Sequence, residues 1–423
     1  MTPILVRISF NKIMGYKKEA IKGISWMSGF RVVTRGLAFV KTVVLARALS
    51  PSQFGIFGIA SLVLVFLEVL TETGINVFLI QSEKRIDKYI NSAWVVSIGR
   101  GVIISLLVLL ISPLIASFFH TPDAMSLLMF ISLVPFVKGF INPASIRFQK
   151  ELHFSSEFWF RTSIFFFDAL VTIIIAYLTH SVYSLAWGFL AGALLEVVLS
   201  FVLFKPTPRF IIEKNYFQEI FHKGKWVTMY GILGYFTDNG DNIIVGRLLG
   251  SSPLGLYQMA YKISILPISE VSDVVSKVVF PIYTKIAEDK KRLLRAFLKT
   301  NIYAFSASFL LGALIFLFSK QIVLVLLGAN WLSAAPVLQV LAIYGVLRTL
   351  AGPASALFLS VSKQKYITAM VFVRFLGLAI TIYPLVSLYG LIGAGYSAII
   401  SVIVEIPVVL YLVLQVFKNH AKA

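Results

Sequence analysis

The side chains able to do chemistry in this chain lie inside long apolar runs, where a charge is costly. Arg31 and Arg35 are four residues apart, so a helix puts both guanidiniums on one face, with Lys41 further along it. Glu68 and Glu72 repeat that spacing with carboxylates. Asp238 and Asp241 are three apart, and Glu270, Asp273 and Lys277 share another helical face. Each charge costs roughly 2.5–3.5 kcal/mol at the centre of a membrane helix unless it meets a partner or water. So many ionisable groups cannot all face lipid, and they imply a polar interior cavity. Arg31, Arg35 and Lys41 suit an anion such as a pyrophosphate, because a guanidinium presents two parallel donors. Glu68, Glu72, Glu270, Asp273 and Lys277 would complete the lining. Asp238 and Asp241 suit a coupling cation, with Na+ or H+ as candidates, and no other cofactor is expected.

A plainer reading pairs the same charges with one another: Arg31 or Arg35 with Glu68 or Glu72, and Lys277 with Glu270 and Asp273. Lys41 and Asp241 could also latch together, since they occupy equivalent places in the repeat described below. Arg100 and Lys138 lie near span ends and read as snorkelling. Arg161 and Asp168 read as solvated or paired, and Arg47 and Arg247 as helix caps.

Other chemistry finds no foothold, and no enzymatic activity is expected. The chain has no Cys, so disulfides and thiolate sites are excluded. Its five His residues lack ligand spacing. GLIGAG at 390–395 opens an apolar run with no strand before it, which points to small-residue helix packing and not to a dinucleotide site. No phosphate-binding GxxxxGK[ST] loop occurs, so energy must come from a gradient or from the substrate.

The elements that must position these residues follow from composition. The chain is 58% hydrophobic and 13% charged, about half the charge a soluble surface needs. Runs long enough to span a bilayer fall near 23–47, 55–80, 92–118, 124–144, 158–179, 182–204, 226–248, 254–282, 298–319, 331–358, 366–386 and 390–417. This predicts an all-α membrane protein of twelve transmembrane helices, with Pro267 and Pro336 as candidate kinks. The net charge of +19 does not mark a nucleic-acid protein, because Lys and Arg concentrate in alternate links. Links such as 84–88, 205–225 and 285–295 are strongly basic, whereas the intervening ones carry Arg47, Arg247 and Lys320. That asymmetry predicts a multi-pass cell (plasma or inner) membrane protein with both termini cytoplasmic. Residues 1–22 read as an interfacial segment, with Met14 an alternative start, and 418–423 as a tail.

The chain also repeats itself. At one constant offset, Trp26 matches Trp226, Arg47 matches Arg247, and Gly55 matches Gly255. Two residues further on, Glu68 falls on Glu270. NPASIRF at 142–148 matches GPASALF at 352–358, Lys138 falls on Arg348, and Glu196 on Glu405. Two six-helix lobes are therefore predicted, 23–204 and 226–417, joined by a basic linker at 205–225. An even number of spans per copy makes them parallel repeats related by a pseudo-twofold along the membrane normal.

VLARALSPSQFGIFGIASLVLVFLEVLTETGINVFLIQ at 44–81, IVGRLLGSSPLGLYQMAYKI at 244–263, FPIYTKI at 280–286 and ANWLSAAPVLQVLAIYGVLRTLAGPAS at 329–355 resemble the polysaccharide and O-antigen flippases of the multidrug/oligosaccharidyl-lipid/polysaccharide exporter superfamily. The resemblance implies a V-shaped central cavity, alternating access, and ion-coupled export of a polyprenyl-diphosphate-linked oligosaccharide for lipopolysaccharide or exopolysaccharide synthesis. Implied partners are that lipid-linked sugar, membrane lipids, glycosyltransferases and a polysaccharide polymerase, with the protein itself a monomer. Many relatives have two further C-terminal spans, whereas twelve spans are expected here. The alternative is a cation-coupled multidrug antiporter of the same superfamily. It accounts for the acids, but the cations of the first span suit an anion better.

Overall fold

In lipid no water satisfies the backbone, so a chain this apolar must close its hydrogen bonds within helices. The computed structural model describes Trp26 and residues 29–71, 89–151, 153–211 and 214–419, apart from the side chains of 214–230, 233, 273 and 419, and contains no strand among them. The first helix, α1, covers 29–48. It is followed by α2 (Pro51–Leu70), α3 (Ile90–Phe118), α4 (Asp123–Ile131), α5 (Leu133–Gly139), a 3-10 turn at Pro143–Ile146, α6 (Arg147–Lys150), α7 (Phe154–Thr179) and α8 (Tyr183–Leu203). Then come α9 (Lys214–Leu249), α10 (Ser251–Lys285), α11 (Lys290–Leu317), α12 (Ser319–Leu326), a 3-10 turn at Ala329–Ala334, α13 (Ala335–Arg348), α14 (Ala351–Ser360) and α15 (Gln364–Asn419). The predicted segment 1–22, Glu72 and the tail after 419 lie outside the described residues.

Seven helices among the described residues are long and apolar enough to cross a membrane, or eight if the pair Asp123–Gly139 and Pro143–Lys150, bent by 72°, is one span. Helices α9 and α10, which carry Asp238, Asp241, Glu270, Asp273 and Lys277, fall outside that set. Large apolar side chains such as Leu110, Leu114, Leu178, Ile380 and Leu388 are exposed, as a lipid-facing surface requires. The chain is a multi-pass membrane protein.

One of the expected break points differs from the sequence reading and another agrees with it. Pro336 does not kink a span; it sits in the first turn of α13, where its missing N–H costs nothing. The break inside α15 falls at Gly390, with φ 58° and ψ −136°, close to the predicted boundary between the last two spans. Three residues on, a Cβ at Gly393 would run into the Leu385 carbonyl. A Cβ at Gly395 would likewise meet Val340 of α13, so within GLIGAG Gly390 makes the bend and the later glycines serve close helix packing, as expected.

The chain forms two compact units, one from residues up to Leu49, Ala60–Ser117 and Pro122–Tyr235, the other from Ser50–Ile59, Phe118–Thr121 and Phe236 onward. In the first, α7 and α8 pack along their length and α5 leans on α8. Tyr89, Ile90, Ala93, Val96, Ala144, Ile146, Phe160 and Phe204 form its buried core. In the second, α10 packs on α11, α13 and α14, and α13 on α15. Its core includes Tyr283, Phe297, Ala354, Ala356, Met370 and Val413. Ala144 and Ala354, Ile146 and Ala356, and Phe160 and Met370 share the NPASIRF/GPASALF register, so equivalent residues do equivalent packing within their own units.

Also within the second unit, the N-terminal turns of α2 and α10 cross closely. A Cβ on Gly55 would strike the Ser251 carbonyl, and one on Gly255 would strike that of Pro51. The hydroxyls of Ser52 and Ser251 are 3.1 Å apart beside them. Two repeat-equivalent glycines therefore meet in one contact.

Candidate functional site

Small residues decide how the charges of the first unit are presented. Gly101 of α3 packs against the Pro135 carbonyl and Gly139 of α5, so the two helices nearly touch. That approach carries Arg100 and Lys138 to the wall of a cavity of about 590 Å³. The same wall includes Glu68 of α2, Glu157 and Arg161 of α7 and Glu196 of α8, together with Val65, Val69, Ile104, Ile146, Phe148 and Phe160. Three cations and three carboxylates thus share one partly apolar chamber.

Most of these charges are held in place. Arg100 donates from Nη2 to the Glu68 carbonyl at 2.6 Å and from Nε to Thr71 Oγ1 at 3.2 Å, which places its charge on the C-terminal end of α2, where carbonyls are unsatisfied. Arg161 Nε lies 2.9 Å from Glu157 Oε1, an oxygen that also accepts from Gln149 at 2.6 Å. Lys138 Nζ and Glu68 Oε1 are 4.0 Å apart with side chains 45% and 40% exposed, the loosest of the pairs. The snorkelling expected of Arg100 and Lys138 is not what they do. Both turn inward, because Gly101 and Gly139 leave no side-chain bulk between α3 and α5.

The second unit holds a much smaller chamber of about 20 Å³, lined by Thr237, Asp238, Asp241, Tyr261, Tyr344, Arg348, Arg374, Phe375, Leu378, Ala398 and Ser401. Arg348 donates to the hydroxyls of Tyr261 and Tyr344 at 3.3 and 3.2 Å. Asp241 is buried and accepts from Tyr257 Oη at 2.8 Å and from the backbone and side-chain nitrogens of Asn242 at 2.7 and 2.9 Å. Arg374 lies 3.6 Å from Glu405. Lys138 and Arg348 fall on one another in the sequence repeat, and each lines the chamber of its own unit; Glu196 lines the first chamber, whereas its match Glu405 lies behind Arg374 and does not line the second.

The sequence-derived candidates scatter around these chambers. Glu68 lines the first, and Asp238 and Asp241 line the second. Arg31 is half-buried and Arg35 exposed on α1, and neither lines the first chamber. Lys41 is held by Asp168 through bonds of 2.9 and 2.8 Å, with both side chains largely buried. A Cβ at Gly188 would collide with Thr172 and Asp168, so that glycine opens the space for the pair. Lys41 and Asp241 each bond inside their own unit. Glu270 is half-buried and Lys277 exposed, while Glu72 and the Asp273 side chain are outside the described residues. Arg247 caps a carbonyl, as expected of it, but the carbonyl belongs to Phe118 of α3 and not to its own helix.

Sequence reasoning passed over Arg100, Glu157, Arg161 and Arg374 as cavity residues. The matches of Lys138 with Arg348 and of Glu196 with Glu405 were the available signal for the rest. No group of His, Asp and Glu able to hold a metal ion occurs among the described residues.

Comparison with known proteins places the chain. The chain is similar to the lipopolysaccharide biosynthesis protein WzxC of Escherichia coli (strain K12), with 26% identity over 367 residues, 83% of this chain and 72% of that protein. It is 27% identical to an uncharacterized membrane protein in the cps region of Klebsiella pneumoniae, over 92% of this chain and 80% of that one. It is also similar to the teichuronic acid biosynthesis protein TuaB of Bacillus subtilis (strain 168), at 24% identity over 81% of this chain and 71% of that protein. In fold it matches the lipid II flippase MurJ in an inward closed conformation, with TM-score 0.75, 18% identity, and coverage of 93% and 89%. An inward-facing multidrug resistance MATE transporter follows, with TM-score 0.67, 14% identity, and coverage of 90% and 95%. The family model for polysaccharide biosynthesis proteins matches residues 44–336, well over half of the chain, and the chain belongs to that family.

Proposed function

We propose that this protein is a flippase that carries a polyprenyl-diphosphate-linked oligosaccharide across the cell membrane by alternating access, driven by an ion gradient. The observation that carries the reading is the chamber of the first unit, about 590 Å³, within the range of roughly 300–1,000 Å³ typical of ligand sites. Its charges are of both signs and much of its remaining wall is apolar. Sugar hydroxyls find both donors and acceptors there, and a diphosphate finds guanidinium and ammonium groups. The polyprenyl tail needs no protein cavity, because the bilayer already solvates it. Lys138 is the group that takes the phosphate: its present pairing with Glu68 is long and half-exposed, an arrangement worth little, so a change of partner costs little. Arg31 and Arg35 on α1 are the further cations assigned to the diphosphate.

Support comes from the family and from its named relatives, which serve lipopolysaccharide and teichuronic acid biosynthesis. The fold match to a lipid II flippase adds to it. The basic links are assigned to the cytoplasmic side with both termini, so the substrate enters where glycosyltransferases complete it and leaves toward a polymerase. The decisive experiment is binding of purified protein to a polyprenyl-diphosphate oligosaccharide, in parallel with lipophilic organic cations. Saturable binding of the lipid-linked sugar, lost in Lys138→Gln, is the expected result. Binding of the organic cations alone would make the protein a multidrug antiporter instead.

A further inference from the structure

Glu405 is a fully buried acid of the second unit. It is 1% exposed, and neither of its carboxylate oxygens accepts a hydrogen bond. Its nearest cation is Arg374 Nη1 at 3.6 Å, beyond hydrogen-bond length. Arg374 in turn lines the second chamber, whose other charged and titratable groups are Asp238 and Asp241 from α9, Tyr261 from α10, with Tyr257 bonded to Asp241, and Tyr344 and Arg348 from α13. Asp241 has its oxygens filled by Tyr257 and Asn242, Arg348 is engaged by two tyrosine hydroxyls, and Asp238 is exposed. Asp238, Asp241 and Glu405 set against Arg348 and Arg374 leave one negative charge unmatched. Of the three carboxylates, Glu405 is the one with neither water nor donors to stabilise it.

Two ligands could supply the missing positive charge, and the burial of Glu405 discriminates between them. A metal cation needs several oxygen ligands arranged around it, but Glu405 is 1% exposed with a guanidinium beside it, and the adjoining chamber, lined by Arg374 and not by Glu405, measures only about 20 Å³, room for one water. A proton needs no room and turns the bare carboxylate into a neutral acid. The position of the pair adds a mechanical consequence. Arg374 and Glu405 lie on opposite sides of the Gly390 break in α15, so an ionised Glu405 pulls the two halves of that helix together and a protonated one releases them.

We infer that Glu405 is an exchangeable proton-binding site, and that the ion whose gradient drives this protein is H+, taken up and released at that carboxylate. The inference rests on the transporter reading for its energetic role, but the site itself can be tested without transport. The infrared difference spectrum of the purified protein between alkaline and acid pH should contain a protonated carboxyl C=O band that disappears in Glu405→Gln and returns, shifted, in Glu405→Asp. An unchanged band in Glu405→Gln would overturn the site. In proteoliposomes an imposed pH gradient should accelerate movement of the lipid-linked sugar in the wild type, with the response lost in Glu405→Gln and restored in Glu405→Asp. A wild type that answers a sodium gradient and ignores pH would overturn the driving-ion claim. Failure of the wild type to bind any lipid-linked sugar would count against the flippase reading alone, since the infrared band judges Glu405 independently.

Discussion

At the scale of single residues, most charges inside this membrane protein have partners, and the pairs differ widely in what breaking them costs. Lys41 and Asp168 are largely buried and make two short bonds. Removing one partner leaves a naked charge, so Lys41→Ala should lower stability by about 3–5 kcal/mol. Combining Lys41→Met with Asp168→Leu should recover most of that loss in thermal unfolding of the detergent-solubilised protein. Asn142 is fully buried, caps the turn at Ala144, and ties α5 to the end of α8 through Ser200 and Phe204. Asn142→Ala should cost about 1–2 kcal/mol, visible as a lower midpoint in the same experiment. Lys138 behaves differently. Its pair with Glu68 is loose, so Lys138→Gln should leave unfolding nearly unchanged while weakening substrate binding about tenfold or more, as losing a charge-assisted bond would.

At the scale of elements, glycines determine where helices meet and where they bend. Gly390 sits at φ 58° and ψ −136°, a conformation costly for any residue with a Cβ. Gly390→Ala should therefore destabilise by about 1–3 kcal/mol and slow transport. Gly99, in the interior of α3, has open space where its Cβ would point. Gly99→Ala should be neutral or stabilising by up to about 1 kcal/mol, and comparing unfolding midpoints of the two variants separates a conformational requirement from an incidental glycine. The helix positions themselves were legible in the sequence, since a run of apolar residues of bilayer length can adopt little else. Span ends were less legible where charge extends a helix beyond the apolar run, as in α9, which begins at Lys214 and not near 226.

At the scale of the whole molecule, the chain contains no cysteine, which makes topology directly testable. A cysteine at Lys291 should react with an impermeant maleimide only after the cells are opened, and one at Lys320 should react in intact cells. Labelling in the reverse order would invert the orientation drawn from the basic links. Composition and periodicity alone determined that this protein is helical and membrane-embedded, with ionisable groups inside its apolar runs and two segments of sequence that match one another, because each of those properties is written in neighbouring residues or in two segments compared directly. The tertiary structure decided which charges meet. Lys41 and Asp168 are 127 residues apart, and Arg374 reaches Glu405 only because the chain turns at Gly390. Helix spacing can place a side chain on a face, but which face looks at which depends on small residues such as Gly101, Gly139 and Gly188, whose effect is felt only once two helices come together.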